Sequence, residues 1–374
     1  MKYYIIAGEA SGDLHGSNLI KELKKLDGAA DIRCWGGDLM QKAGAHLVKH
    51  YRDLAFMGFA EIVKNLGTIL KNLKFCKQDI LDFKPDALVL IDYPGFNLRI
   101  AKWAKRLGLK VIFYISPQVW AWKENRVKQM KKDIDKMIVI IPFEKEYFKK
   151  RWNWEVEYVG HPLAEEIESQ KSKIQTQKYS DKPIVALLPG SRKQEIAKKL
   201  PIMLEVSKFF PGYQFIVAEA PSVEDEFYRN FTKPYSNVSA VKNQTYDLLS
   251  QAKAAAVTSG TATLETALFG VPEIVCYKGS PISYQIAKRV IKVKYISLVN
   301  LIMDRLVVKE LIQNDLTVEN LRRELHELLT NEKRIAEIKK DYGELKGILS
   351  EGGTDSYQGA SAKAARLIVN FLSK

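Results

Sequence analysis

Four short segments place glycine, hydroxyl and charged side chains directly after apolar runs, where an α/β protein presents groups to a ligand. The first, residues 8–13 (GEASGD), has two glycines that allow close backbone approach and sets Ser11, Gly12 and Asp13 before an expected helix from about Leu14. It suits an anion or an acceptor group, and a tight turn with Asp13 as helix cap is the competing reading. It is not G-x-G-x-x-G, so dinucleotide binding has no support. The second, residues 91–97 (IDYPGFN), ends a buried run with Asp92, whose carboxylate can accept a proton from a bound hydroxyl; an Asx-type turn is the alternative. In the third, residues 187–192 (LLPGSR), Gly190 and Ser191 can turn backbone N–H groups toward a phosphate and Arg192 can grip two of its oxygens, or else lie on the surface. The fourth, residues 258–265 (TSGTATLE), offers Gly260 and Thr261 to a diphosphate and Glu265, one turn later, to ribose hydroxyls. A capping box with Thr261 or Thr263 as the cap would use the same residues.

Together these segments describe a nucleotide held by the second pair and a base presented by the first. No D-x-D-like motif accompanies them, which fits arginine and helix dipoles neutralising the diphosphate; neither a metal nor a cofactor is expected. His46 and His50 stand four apart but lack the glutamate of a metalloprotease helix. Cys34, Cys76 and Cys276 are widely spaced, which argues against a disulfide framework or zinc and for a reducing cytosol. Fifty-eight lysines and arginines against 44 acidic residues give a net charge of +14, favouring a polyanionic partner: nucleic acid, an anionic membrane or a phosphorylated substrate. No arginine-rich arm or aromatic RNA-binding signature appears, so nucleic acid is not expected. The N-terminal apolar stretch is too short for a signal peptide and no run spans a bilayer.

The elements that position these segments follow from the apolar pattern. Five β-branched runs, at 3–7, 87–91, 111–115, 137–141 and 156–159, alternate with helical stretches, as parallel strands buried on both faces require. A polar stretch follows, and a second series occupies 184–188, 213–218, 238–241, 254–257 and 273–277. The expected organisation is α/β, with two Rossmann-like doubly wound domains facing a cleft. Residues 1–164 would carry the base, 165–182 a polar linker or exposed helix-turn, and 183–350 the nucleotide. A helix in 351–374 would then pack back on the first domain. After Leu298 the pattern reads as helical.

The set GEASGD (8–13), FMGFAE (56–61), IDYPGFN (91–97), SPQVWAW (116–122), PFEK (142–145), VGHP (159–162), LLPGSR (187–192), SGTATLE (259–265) and ISLVNL (296–301) resembles the lipid-A-disaccharide synthase family over nearly the whole chain. The resemblance implies the GT-B fold and an inverting transfer, with 1–164 as the acceptor domain and 183–350 as the nucleotide-sugar domain. UDP-2,3-diacylglucosamine would give its sugar to the 6-hydroxyl of 2,3-diacylglucosamine 1-phosphate, making the β-1′,6 disaccharide 1-phosphate and UDP. It implies Asp92 as base, Arg192 with 189–191 as the diphosphate grip, Thr261 and Glu265 as the nucleotide cradle, and Asn300 as a further nucleotide-side residue. Many members carry a second acid where this chain has Gly95, which leaves the base to Asp92. A UDP-N-acetylglucosamine 2-epimerase-like enzyme would share the nucleotide loops and is the alternative.

Lipid substrates call for a membrane-facing surface. Over 56–76, Phe59, Ile62, Val63, Leu66, Ile69, Leu70, Leu73 and Cys76 fall on one helical arc of roughly 140°, with Lys64 and Lys71 outside it. Phe59, Val63, Leu66, Ile69, Leu70 and Leu73 are expected to face an anionic membrane, although a core-facing helix has the same pattern. Trp120 and Trp122 could line an acyl groove or simply be buried. The expected setting is cytoplasmic, peripheral to the inner membrane, as a monomer or homodimer.

Overall fold

The computed structural model describes residues 1–54, 66–174, 178–280, 284, 293–350 and 359–373. The chain forms two compact units, Met1–Pro162 with Leu349–Lys374, and Leu163–Ile348.

The first unit holds a seven-stranded parallel sheet: β1 (Lys2–Ala7), β2 (Asp31–Gly36), β3 (His46–His50), β4 (Ala87–Ile91), β5 (Lys110–Tyr114), β6 (Lys136–Val139) and β7 (Glu157–Tyr158), in the order β3-β2-β1-β4-β5-β6-β7. Every residue of β4 is buried, as its unbroken apolar sequence requires. The order reverses between β1 and β4, and there Ala7 pairs with Ile91 while Ile91 pairs with Tyr114. The chain therefore leaves these three strands at one level, at the switch point where α/β sheets bind ligands.

The second unit repeats the plan with β8 (Ile184–Leu188), β9 (Gln214–Glu219), β10 (Val238–Lys242), β11 (Ala252–Thr258), β12 (Glu273–Tyr277) and β13 (Lys309–Ile312), ordered β10-β9-β8-β11-β12-β13. Its switch lies between β8 and β11, where Leu188 pairs with Val257. Segments 189–192 and 258–261 thus leave neighbouring strand ends.

Three strands were not foreseen. β2 and β3 interleave charged residues or histidine with apolar ones, and β13 (KELI) is a four-residue edge strand carrying lysine and glutamate. His46 and His50 therefore lie on a strand rather than a helix. The polar stretch from 165 begins inside a helix, Pro162–Lys171. The last helix, Ala360–Leu372, packs in the first unit against the first helix, Ala10–Leu26.

The helix expected over 56–76 is described from Leu66 and runs to Phe83; Phe59 and Val63 lie outside the described residues. Its membrane-facing assignment needs correction. Leu73 is only 8 % exposed and joins Cys76, Ile80 and Phe83 in the core with Tyr4, Trp35 and Phe96, and Ile69 is half-buried against the same cluster. Positions 69, 73, 76, 80 and 83 follow the three-and-four spacing of one helix face, so this stripe covers the sheet. Leu70, 58 % exposed, is turned outward with Lys71, Lys74 and Phe75.

Candidate functional site

In the first unit the base candidate stands on a constrained corner. Asp92 and Tyr93 both adopt left-handed backbone conformations, with φ of 44° and 49°. Such residues cost about 1–3 kcal/mol each and persist only where their surroundings enforce them. Two contacts do so here. The buried Asn97 amide, one turn into the helix Pro94–Arg106, donates to the carbonyls of Ile6 (3.3 Å), Ile91 (3.2 Å) and Asp92 (2.8 Å), tying the two switch-point strands together. The Tyr93 ring lies so close to Gly8 that a side chain there would begin 2.3 Å from Tyr93 Cγ, so residue 8 must be glycine.

Burial raises the Asp92 carboxyl to about 6, assisted by the negative charge of Glu9. It is therefore ionised at neutral pH yet retains affinity for a proton, as a general base should. Glu144, fully buried at the start of the helix Pro142–Trp152, is raised to about 8, mainly by burial and partly by the charge of Asp92. The ring N–H of Trp120 donates to it at 3.1 Å and the Ile141 N–H at 3.3 Å. Two neighbouring carboxyls thus differ, one charged and one neutral near pH 7. Spacing did not reveal Glu144 or Asn97, because burial and long-range partners define them. Trp120 is half-buried through this bond, whereas Trp122 is exposed beneath Lys123 and Arg126.

The segment 8–13 differs from its expected role. The first helix starts at Ala10, so Ser11, Gly12 and Asp13 lie in its first turn. Asp13 is buried and accepts from the backbone N–H groups of Gly37 (2.8 Å), Met40 (3.0 Å) and Leu39 (3.1 Å), capping the helix Asp38–Lys42. Its carboxylate is committed to these amides, which corrects its assignment to a ligand loop. Gly12 packs against Ala7, and Ser11 is exposed.

In the second unit one pocket of about 450 Å³ is lined by Gly190, Ser191, Arg192, Gly260, Thr261 and Glu265, together with Glu195, Glu219, Thr258 and Ser259. Six of the seven nucleotide-side residues expected from sequence therefore meet around a single space. Gly190 (φ 125°) and Gly260 (φ 144°) occupy conformations that glycine favours, which lets the chain bend away from β8 and β11 with bare amides. Gly260, rather than a threonine, caps the helix Thr261–Leu268, and Thr263 Oγ1 donates back to its carbonyl at 2.8 Å. Burial alone pushes Glu265 up to about 7. Arg192 is well exposed at the rim, 3.6 Å from Glu195.

Asn300 is the exception, and its assignment as a nucleotide contact is corrected. It is fully buried; its amide donates to Val308 O and Glu310 Oε1, both at 2.9 Å, and its oxygen accepts from Val307 N (2.8 Å) and Val308 N (2.9 Å). Those partners fill both ends of the side chain. Its influence is indirect: Glu310 also accepts from Ile296 N and Ser297 N, and the Ile296 carbonyl accepts the Ser259 hydroxyl at the pocket wall. Nothing in sequence spacing distinguishes such a brace from a ligand contact. Among the described residues, no cluster of three or more His, Cys, Asp or Glu groups could hold a metal ion.

The family model described as lipid-A-disaccharide synthetase matches residues 3–363. A lipid-A-disaccharide synthase of Geobacter metallireducens is 37% identical, the match covering 99% of this chain and 97% of that one. One from Coxiella burnetii is 37% identical, with 98% of each covered. Among solved structures, UDP-GlcNAc 2-epimerase from Neisseria meningitidis bound to UDP-GlcNAc superposes with a TM-score of 0.69 at 12% identity, covering 100% of both chains. The glycotransferase of kitacinnamycin superposes at 0.68 with 14% identity, covering 99% of both. These structural likenesses speak to the fold, which is GT-B.

Proposed function

The chain belongs to the lipid-A-disaccharide synthase family, and from that premise we propose how its residues divide the reaction. It is a UDP-sugar-dependent glycosyltransferase of lipid A biosynthesis. The reaction transfers 2,3-diacylglucosamine from UDP to the 6-hydroxyl of 2,3-diacylglucosamine 1-phosphate, giving the β-1′,6 disaccharide 1-phosphate and UDP. An α-linked donor and a β product require a single in-line displacement, without a covalent glycosyl-enzyme.

In our reading Asp92 removes the proton of the acceptor hydroxyl, with Asn97 and the Tyr93–Gly8 contact holding it in place. The pocket of the second unit takes UDP: the amides at Gly190, Ser191, Gly260 and Thr261 with Arg192 meet the diphosphate, and Glu265 meets ribose hydroxyls. The observation that carries this reading is the convergence of two independently read loops, 189–192 and 258–265, on one pocket at a switch point. A 2-epimerase reading has only the fold in its favour.

No helix among the described residues is long and apolar enough to cross a membrane. Association with the inner membrane is proposed to be peripheral and cytoplasmic, through Leu70 and Phe75 flanked by Lys71 and Lys74. The working form is proposed to be a monomer or homodimer. Mass spectrometry and proton NMR of products from UDP-diacylglucosamine alone, then with the acceptor, test the activity. A disaccharide 1-phosphate formed only with both substrates is expected. An epimerised donor without acceptor would refute it.

A further inference from the structure

Beneath the pocket of the second unit lies a cation that sequence gives no reason to notice. Lys199, on the helix Lys193–Ser207, is only 2 % exposed. Its ammonium donates to the hydroxyl of Thr258, at the end of β11. Nζ lies 3.4 Å, and Glu195 Oε2 3.0 Å, from where a side chain on residue 190 would begin, so the bare backbone of Gly190 brings the pocket wall close to both charged groups. Gly190 and Thr258 both line the pocket.

The ammonium has no ion-pair partner within 4 Å among the described residues; Glu195, which attracts it and borders the same space, has its other carboxylate oxygen 3.6 Å from Arg192. Burial holds its pKa below the usual lysine range. An unpaired buried charge is costly to the fold, so its retention here needs a reason. The pocket supplies one. Glu195 and Glu219 line it beside the rim residue Arg192, and a diphosphate entering past two carboxylates needs more positive charge than one exposed arginine provides.

Resting on the reading of this pocket as the donor site, we propose that Lys199 is a diphosphate-binding residue whose ammonium meets the phosphoryl oxygens of UDP lying over Gly190. During transfer the bond between the anomeric carbon and the β-phosphate oxygen breaks, and its electron pair stays on that oxygen. The acceptor oxygen bonds to the anomeric carbon, and its proton goes to Asp92. Lys199 keeps its proton and stabilises the charge left on the diphosphate.

The test uses Lys199→Met, an unbranched apolar replacement, and Lys199→Gln, which can still donate to Thr258 but has no charge. Each is titrated calorimetrically with UDP and with uridine, and unfolded thermally without ligand. Both variants should bind UDP about tenfold or more weakly, the usual consequence of losing a charged hydrogen bond, with uridine affinity unchanged. Lys199→Met should unfold at the wild-type temperature or above, because an apolar chain replaces an unpaired buried charge. Wild-type UDP affinity in Lys199→Gln overturns the proposal. So does a lowered melting temperature with equal loss of UDP and uridine binding, which would assign Lys199 to folding. If wild-type protein binds neither ligand, the reading of the pocket has itself failed, and the proposal with it.

Discussion

Asp92 joins two requirements that oppose each other, burial from water and a charge that must remain usable at neutral pH. Its carboxyl, raised to about 6, predicts that activity climbs as pH rises through that value, because only the ionised form can take a proton. Asp92→Asn should lower turnover about 10²–10⁴-fold with UDP affinity intact, since the pocket proposed for the nucleotide lies in the other unit. Retention of more than about a tenth of turnover would remove Asp92 from the role. Glu9→Gln is the sharper probe. It deletes a negative charge that raises the Asp92 pKa, so the acidic limb of kcat/KM should move to lower pH. The acceptor's phosphate titrates near pH 6 as well, but equally for both enzymes, so the difference between them isolates Glu9. An unmoved limb would refute this coupling. Asp92, Arg192 and Glu265 could be picked out as candidates in the sequence because each lies in a segment that follows an apolar run, Glu265 one turn into the helix Thr261–Leu268. Asp13 and Asn300 were misread for a shared reason. Their polar groups face backbone amides and carbonyls brought in by folding, and a side chain's type does not tell whether a ligand or the chain itself fills its valences. Lys199 was invisible, one of 58 basic residues and set on a helix where lysine is ordinary.

The helix Leu66–Phe83 shows how far periodicity carries at the scale of an element. From Leu66 onward the apolar arc was correctly read as a helix, but it has two uses. Its 69-73-76-80-83 stripe covers the sheet, while Leu70 and Phe75 remain outside. Single substitutions should therefore separate where a block replacement would merge two effects. Leu73→Ser should destabilise the fold by about 2–5 kcal/mol in urea unfolding, from lost burial and the cavity left behind. Leu70→Ser should change stability by less than about 0.5 kcal/mol but reduce binding to anionic vesicles, and residual binding should fall with added salt. Vesicle binding of Leu70→Ser equal to wild type at every salt concentration would move the lipid contact elsewhere. Strands buried on both faces were the easiest elements to read, since nothing in them is polar. The edge strands β3 and β13 escaped because an edge tolerates lysine and glutamate, which remove the apolar alternation a strand is recognised by.

For the molecule as a whole, the repeated doubly wound α/β plan was readable from the two series of apolar runs, with the exact ends of elements shifting by a residue or more, while the strand order that sets each switch point was not. The first unit, however, is written in two pieces. Residues 1–162 need Ala360–Leu372, whose Ala364, Ala365 and Ile368 are buried and whose helix packs on Ala10–Leu26, before their surface is closed. A chain ending at Ser350 should keep UDP binding, which is proposed for the uninterrupted unit, while its first unit melts earlier and binds hydrophobic dyes. Two transitions unchanged from wild type would show the last helix to be dispensable. The same arrangement sets a timetable in the cell. Ribosomes add about 5–20 residues per second, so the first unit stands finished except for its closing helix while the whole second unit is made, about 10–40 s. Throughout that interval the first helix has yet to gain the neighbour it packs against. Birth order thus makes the half containing Asp92 the earliest to be synthesised and the last to be complete, and the half most exposed to chaperones and proteases on the way.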